Sequence, residues 1–283
     1  MNQNDNFKIF LCNFNLWKPT ENDWRNALLQ LNDIEESTRI MRFQKPIKMP
    51  SGKTEWVKGK DNPCAKASLV GRRLMMDLVE RMLSIPHNDQ KFLRTSNNKP
   101  YLVNAIQNIN NNNNNRNFNF NVSHDGDYTV IMGSLHIPIG IDIMRSKLPA
   151  NYNESNIQEF FRSVESCFTE LEWKNIRNQV SISNSITNFY RHWCLKESFI
   201  KTTGQGLEMD LKRLEFEIDR DKKSARLRID GKLTDDYQFL VLELKPISVD
   251  VELHLVGICF QTSDKSIINL HDSILNSIET LKY

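Results

Sequence analysis

Apolar and polar positions alternate over Phe7–Phe14, a strand pattern, and again over Phe118–Val122 and Tyr128–Met132. Between the last two, Asp125-Gly126 supplies a tight turn, because glycine tolerates positive φ and aspartate bonds its own backbone. Elsewhere the apolar spacing is helical. Glu21–Leu31, opened by Thr20, places Trp24, Leu28, Leu29 and Leu31 on one side, and Arg39–Phe43 continues helically. Lys66–Leu83 repeats apolar residues at Leu69, Leu74, Met75, Leu78, Val79 and Met82. Ile157–Asn178 reads as a helix broken near Phe168-Thr169, and Ile186–Thr203 as a long helix ended by Gly204. Ile137–Met144 is a short apolar run that suits a buried strand. Further strands are predicted near Leu214–Ile218, Ala225–Ile229, Gln238–Leu244 and Val251–Phe260, with a last helix over Asp272–Lys282. QKPIKMPSGKTEWVKGKDNP, rich in Lys, Pro and Gly, reads as a loop, and LRTSNNKPYL as a strand and turn. Each half mixes helices with strands able to pair antiparallel, which is an α+β pattern. The sequence holds no dinucleotide fingerprint, no P-loop and no clear repeat.

Composition narrows this picture in a few places. The 283 residues suffice for two domains. A net charge of +2 argues against a polyanion binder, and no aromatic and basic interleaving of the RRM kind is present, so nucleic acid is not an expected partner. Local charge differs: Arg39–Arg73 holds ten Lys or Arg against Glu55 and Asp61, a patch suited to phosphates. The Asn-rich loop 104–117 has nothing to bury and reads as a surface insertion between strands. Five scattered cysteines without C-x-x-C fit free thiols in a reducing compartment. The polar N-terminus and the lack of a membrane-length apolar run point to the cytosol, with no membrane partner.

Three acids draw attention. Asp142 sits inside an apolar strand, which is costly unless the carboxylate is paired or binds a metal. Glu197 shares a helix face with Trp193 and Lys201, four residues to either side, and a plain surface ion pair explains that spacing equally well. With Asp125 these acids would make an oxygen site for Mg²⁺, but three acids far apart in sequence do not establish one. The turn cluster Ser123-His124-Asp125 carries more polar chemistry than a turn needs, and His124 fits a phosphate donor, a base or a turn residue alike. The six histidines lack zinc-ligand spacing. Ser123 and His124 are strand neighbours facing opposite ways, against a Ser–His–Asp hydrolase.

In order along the chain these pieces resemble the Sfp-type 4′-phosphopantetheinyl transferases, with the eukaryotic members nearest. IGIDIM around Asp142 and WCLKESFIKTTGQGL around Glu197 resemble the two signature motifs. FNFNVSHDGDY resembles the N-x-S-H-x-x-x-Y element, and CFTELEW the F-[ST]-x-x-E segment. RTSNNKPYL resembles the G-K-P element, with Asn98 in place of Gly. The resemblance runs from about Arg39 to Phe216.

The resemblance implies a pseudo-dimer of two similar α+β halves, residues 1–136 and 137–283, with coenzyme A in the cleft between them. It implies transfer of the phosphopantetheine arm of coenzyme A to a serine of an apo acyl or peptidyl carrier protein domain. Adenosine 3′,5′-bisphosphate leaves, and the cofactor is Mg²⁺. It implies Asp142 and Glu197 as metal ligands, Glu197 also as general base, and Lys196 and Lys201 on the pyrophosphate, with Lys201 steadying the leaving group. Arg39, Arg94, Thr95, Lys99, Asn121, Ser123 and His124 would contact coenzyme A. Met144 stands where bacterial members carry a second acid, so Asp125 is expected to replace that ligand, directly or through water. A pseudo-dimer needs no second copy, so a monomer is expected. The Lys-rich insertion 44–60 is expected to be a solvated loop, steering of acidic carriers being the alternative. Fatty-acid, polyketide, amino-acid-reducing and mitochondrial carriers all stay open as targets. A catalytically dead scaffold that binds coenzyme A or carrier domains is one rival; it predicts a lost acid or lysine, and Asp142, Glu197 and Lys201 are all present.

Overall fold

The computed structural model of the chain describes residues 7–48, 52–103, 118–245, 252–270, 274 and 278–283. The first half runs β1 (Phe7–Asn13), α1 (Glu21–Leu29), α2 (Ile34–Met41), β2 (Gln44–Lys48), β3 (Thr54–Lys58), α3 (Pro63–Leu83), β4 (Phe92–Arg94), β5 (Pro100–Leu102), β6 (Asn119–Asp125) and β7 (Tyr128–Ser134). The second half runs β8 (Ile139–Arg145), α4 (Ile157–Ser163), α5 (Glu170–Arg177), α6 (Ile182–Thr203), β9 (Leu214–Ile218), β10 (Ser224–Ile229), β11 (Lys232–Leu244) and β12 (His254–Phe260). A short strand, β13 (Glu279–Thr280), returns to pair parallel with β1.

The two halves repeat one topology. In the first sheet the order is β13-β1-β7-β6, and in the second β8-β12-β11-β10-β9. In each half the first strand pairs antiparallel with the last, and the last with the one before it. A long helix lies on each sheet, α3 on the first and α6 on the second. The α+β pseudo-dimer is therefore explicit in the strand order, although the residues of the two halves show no repeat.

Strand alternation stacks these parts in four layers. Phe10 and Cys12 of β1 pack toward α3, while Ile9 and Leu11 join a second core with Ile139, Ile141 and Ile143 of β8. On β12, Val256, Ile258 and Phe260 enter that shared core, and Leu255 and Cys259 face the α6 side. Both faces of these strands are covered, which is why β12 is buried at all seven positions and reads as an apolar run after His254. On the α6 side, an added Cβ at Gly140 would fall 2.1 Å from the Ser198 carbonyl oxygen, and one at Gly257 2.6 Å from the Cys194 backbone. Only glycine lets α6 lie this close to the sheet.

The two sheets meet at a seam between β6 and β8. The β8 amides of Ile141, Ile143 and Arg145 find no backbone strand on that side. They donate instead to Asn121 Oδ1 at 3.3 Å, Ser123 Oγ at 3.4 Å and Asp125 Oδ2 at 2.8 Å. Every second residue of β6 thus caps an edge amide of β8.

Several expectations need correction. The segment from Gln44 is a β-hairpin, not a loop: Thr54–Lys58 carries β-favouring Thr, Trp and Val, and Pro46 is tolerated in a two-stranded ribbon, opposite Trp56. Leu29 is 77% exposed, because α1 buries Trp24, Ala27 and Leu28, and Leu29 falls off that face. The helix expected over Asp272–Lys282 gives way at Glu279–Thr280 to β13; much of that span and the Asn-rich loop lie outside the described residues. Helix α6 begins four residues earlier than the apolar pattern suggested, at Ile182, where the Ser181 side chain caps it.

Candidate active site

Asp142 enters the site from the middle of β8, two residues after Gly140, on the face that α6 covers. It is 4% exposed. Its Oδ1 accepts from Lys201 Nζ at 2.6 Å and from Ser123 Oγ at 2.7 Å. Its Oδ2 is buried and has no partner among the described residues. Lys201 Nζ also donates to Ser123 Oγ at 2.8 Å and to the Ile141 carbonyl at 3.3 Å. Strand β6 from one half and β8 and α6 from the other thus converge on one carboxylate.

Glu197 lies one turn before Lys201 on α6 and is half-buried. Burial pushes its carboxyl up from the ordinary range, the nearby charge of Asp142 adds to this, and Lys201 opposes it. His124, exposed near the end of β6, is held below the usual histidine range by desolvation and then by the charge of Lys201; Asp125 and Asp142 oppose the shift. Arg39, in the first half's basic cluster, is a further charge that lowers it.

That cluster is organised by Glu36, a buried carboxylate on α2. Arg39 meets it through Nε at 2.9 Å and Nη2 at 2.7 Å, and Arg94 at 3.2 Å. Burial pushes Glu36 up, but Arg39, Arg94 and Arg72 outweigh it and hold the group below its ordinary range. Thr95 and Lys99 belong to the β4–β5 turn, where Thr95 Oγ1 accepts from the Lys99 amide at 3.2 Å. Lys99 Nζ reaches the Lys201 carbonyl at 3.0 Å, and Asn97 Nδ2 the Gly204 carbonyl at 3.2 Å, so this turn rests on the end of α6.

Two expected site residues are placed differently. Lys196 does not face the cleft. Its Nζ donates to the carbonyls of Leu211 and Leu214 and pairs with Glu172 at 2.8 Å, with its side chain 1% exposed. Three ammonium donors already have three acceptors, so none is left for a pyrophosphate. Asp125 gives Oδ2 to the seam, and among the described residues no three His, Cys, Asp or Glu are gathered to hold a metal. Asp125 is the residue expected to replace the missing acid, directly or through water, and its Oδ2 is held by the Arg145 amide. Asn121 and Ser123 likewise serve the seam. Glu36 escaped the sequence reading, although its i,i+3 spacing to Arg39 was there to be read.

A fold of two like α+β halves has family counterparts. A model described as 4′-phosphopantetheinyl transferase, N-terminal, matches residues 15–136, and one of the 4′-phosphopantetheinyl transferase superfamily matches residues 138–259. The chain belongs to the 4′-phosphopantetheinyl transferase family. Among its relatives, the L-aminoadipate-semialdehyde dehydrogenase-phosphopantetheinyl transferase of Rattus norvegicus is 36% identical over 79% of this chain and 66% of that protein. The human protein of the same name is 34% identical over 88% of this chain and 73% of that protein. The 4′-phosphopantetheinyl transferase Sfp of Bacillus subtilis is 28% identical over 71% of this chain and 74% of that protein.

Proposed function

We propose that this transferase takes the phosphopantetheine arm from coenzyme A, with Mg²⁺, and places it on a serine hydroxyl of an apo carrier domain. The observation that carries the reading is the Asp142–Lys201 pair beside Glu197, with Asp142 Oδ2 buried and without a partner among the described residues. Hard oxygen donors of this kind fit Mg²⁺, which needs one or two carboxylates and completes its shell with water and phosphate. Asp142 and Glu197 would hold the ion, and Asp125 would reach it only through water. Bound there, Mg²⁺ offsets pyrophosphate charge and favours departure of the nucleotide.

The chain's own residues do the rest. Glu197 accepts the proton of the carrier serine hydroxyl. The serine oxygen forms a bond to the pantetheine phosphorus as the bridging P–O bond breaks, and adenosine 3′,5′-bisphosphate leaves with the bridging oxygen. Lys201 supplies a cation where that charge develops. Arg39, Arg94 and His124 hold the nucleotide phosphates, with Thr95 and Lys99 beside them. The protein acts as a monomer in the cytosol, its two halves supplying both sides of the cleft; no described helix is long and apolar enough to cross a membrane.

The test is intact-mass spectrometry of an apo carrier protein mixed with this protein, coenzyme A and Mg²⁺. The carrier gains the mass of one phosphopantetheine arm, and EDTA or Glu197→Gln abolishes the gain. No gain on several unrelated carriers would refute the reading.

A further inference from the structure

Beneath the β6–β7 turn lies a histidine from the other half. His254, the first residue of β12, is fully buried. Its Nδ1 bonds the Glu252 carbonyl at 2.8 Å; that oxygen only accepts, so Nδ1 carries the proton and Nε2 the lone pair. Nε2 accepts from the Asp127 amide at 3.4 Å, across the halves. The imidazole meets the Tyr128 ring edge-on, with centroids 4.8 Å apart. Gly126, at φ +57°, lies against the ring so closely that an added Cβ would fall 2.3 Å from Nε2. The other side of the turn is tied to its own half: Phe14 donates its amide to the Asp127 carbonyl at 3.0 Å, and Asn15 bonds the Asp127 carboxylate.

We propose that His254 is a positioning residue: from the second half it fixes the height of the Gly126-Asp127 turn, and so aims His124 of the first half at the coenzyme A phosphates. The assignment rests on the coenzyme A reading above. His254 touches no reacting atom. It acts on binding of the nucleotide end, so its loss raises KM for coenzyme A and leaves kcat at saturation nearly unchanged.

The test exploits the two ring nitrogens. His254→Gln places an acceptor near the Nε2 position, while His254→Asn keeps a polar group near Nδ1 and withdraws from Asp127. Both remove the ring, so a merely structural role predicts equal effects. The expected result is a KM for coenzyme A raised about tenfold or more in the Asn variant, several-fold less in the Gln variant, with kcat within twofold in both. KM does not depend on the fraction of enzyme folded, so partial unfolding does not imitate this split. Gly126→Ala, which pushes the turn from the other side with His254 intact, should raise KM in the same way; it decides the matter if neither His254 variant folds. Equal KM values in the two His254 variants, or an unchanged KM in Gly126→Ala, overturn the assignment. Wild-type transfer is measured first: if it is absent, the coenzyme A reading fails, whereas active variants with equal KM values fail His254 alone.

Discussion

Lys196 and Glu172 form an ion pair 2.8 Å apart with both side chains essentially out of solvent. Glu172 is the acid of the F-[ST]-x-x-E segment, and Lys196 the lysine just before Glu197. The pair clamps α5, α6 and the start of β9, because Glu172 also accepts the amides of Thr169 and Phe216 at 2.9 Å. Burial pushes Glu172 up and Lys196 down, and the mutual attraction opposes both shifts. Two residues with the look of catalytic chemistry thus hold the helix that carries it.

Removing one partner strands a buried charge. Lys196→Met should therefore cost roughly 3–5 kcal/mol of stability. Lys196→Met with Glu172→Gln should recover most of that loss. In urea unfolding the double variant lies well above the single one. Its KM for coenzyme A stays within about threefold of wild type, since Lys196 does not reach the pyrophosphate.

The carboxylates differ in their expected hold on metal. Asp142→Asn should lose most affinity for Mn²⁺, used as a spectroscopic substitute for Mg²⁺ in an EPR titration. Asp125→Asn should weaken it much less and should weaken coenzyme A binding less still. Equal losses in the two variants would give Asp125 a direct place on the ion.

Lys201 is open to the cleft, with its side chain 25% exposed, but its partner Asp142 is buried. Lys201→Met should lower kcat by about 10²-fold or more and also lower the melting temperature, because it strands the Asp142 carboxylate. Stopped assays of carrier mass at saturating coenzyme A measure the first, and circular dichroism the second.

Acid should weaken the fold through His192. This residue is 1% exposed, its Nδ1 meets the Asn188 carbonyl at 2.8 Å, and burial pushes its pKa down to about 4. In the unfolded chain a histidine titrates near 6.5. Between these values the unfolded state takes up a proton that the folded state refuses. The contribution is complete above about pH 6.5 and is lost as pH falls toward 4, by on the order of 3 kcal/mol. Urea unfolding at pH 7 and pH 5 should show a smaller decline in His192→Leu than in wild type.

Gly140 is held to glycine by contact with the helix. Gly140→Ala places a methyl 2.1 Å from the Ser198 carbonyl oxygen, so α6 must move. A destabilisation of about 1–3 kcal/mol is expected. Because Glu197 and Lys201 ride on α6, kcat/KM should fall further than the loss of folded protein explains, measured at a temperature where the variant remains folded.

Much of this was legible in the sequence because burial on both faces or on one leaves a periodic trace. β8, β12, α3 and α6 carried it, and the break expected near Phe168-Thr169 falls just before α5, which Thr169 caps. Asp142 stood out because an apolar strand has no cheap place for a carboxylate. What periodicity does not carry is direction around the helix. Lys196 and Glu197 are adjacent in sequence but about 100° apart on α6, and only packing against Glu172 decides which faces the cleft. The repeat was invisible for a related reason: the two halves share strand order, while Asp142 and Lys201 have duties that the first half does not duplicate. His254 left no trace, since a strand histidine beside Leu253 and Leu255 reads as one more buried position.

The side chains along β6 have a consequence for solubility. β8 ends the second sheet, and an uncovered strand edge invites a strand from another molecule. Asn121, Ser123 and Asp125 occupy its free amides with side-chain oxygens, which seal the edge without extending the sheet. Substitutions there should expose a growth point for aggregation as well as disturbing the cleft, so the row that lines the seam also guards a sheet edge.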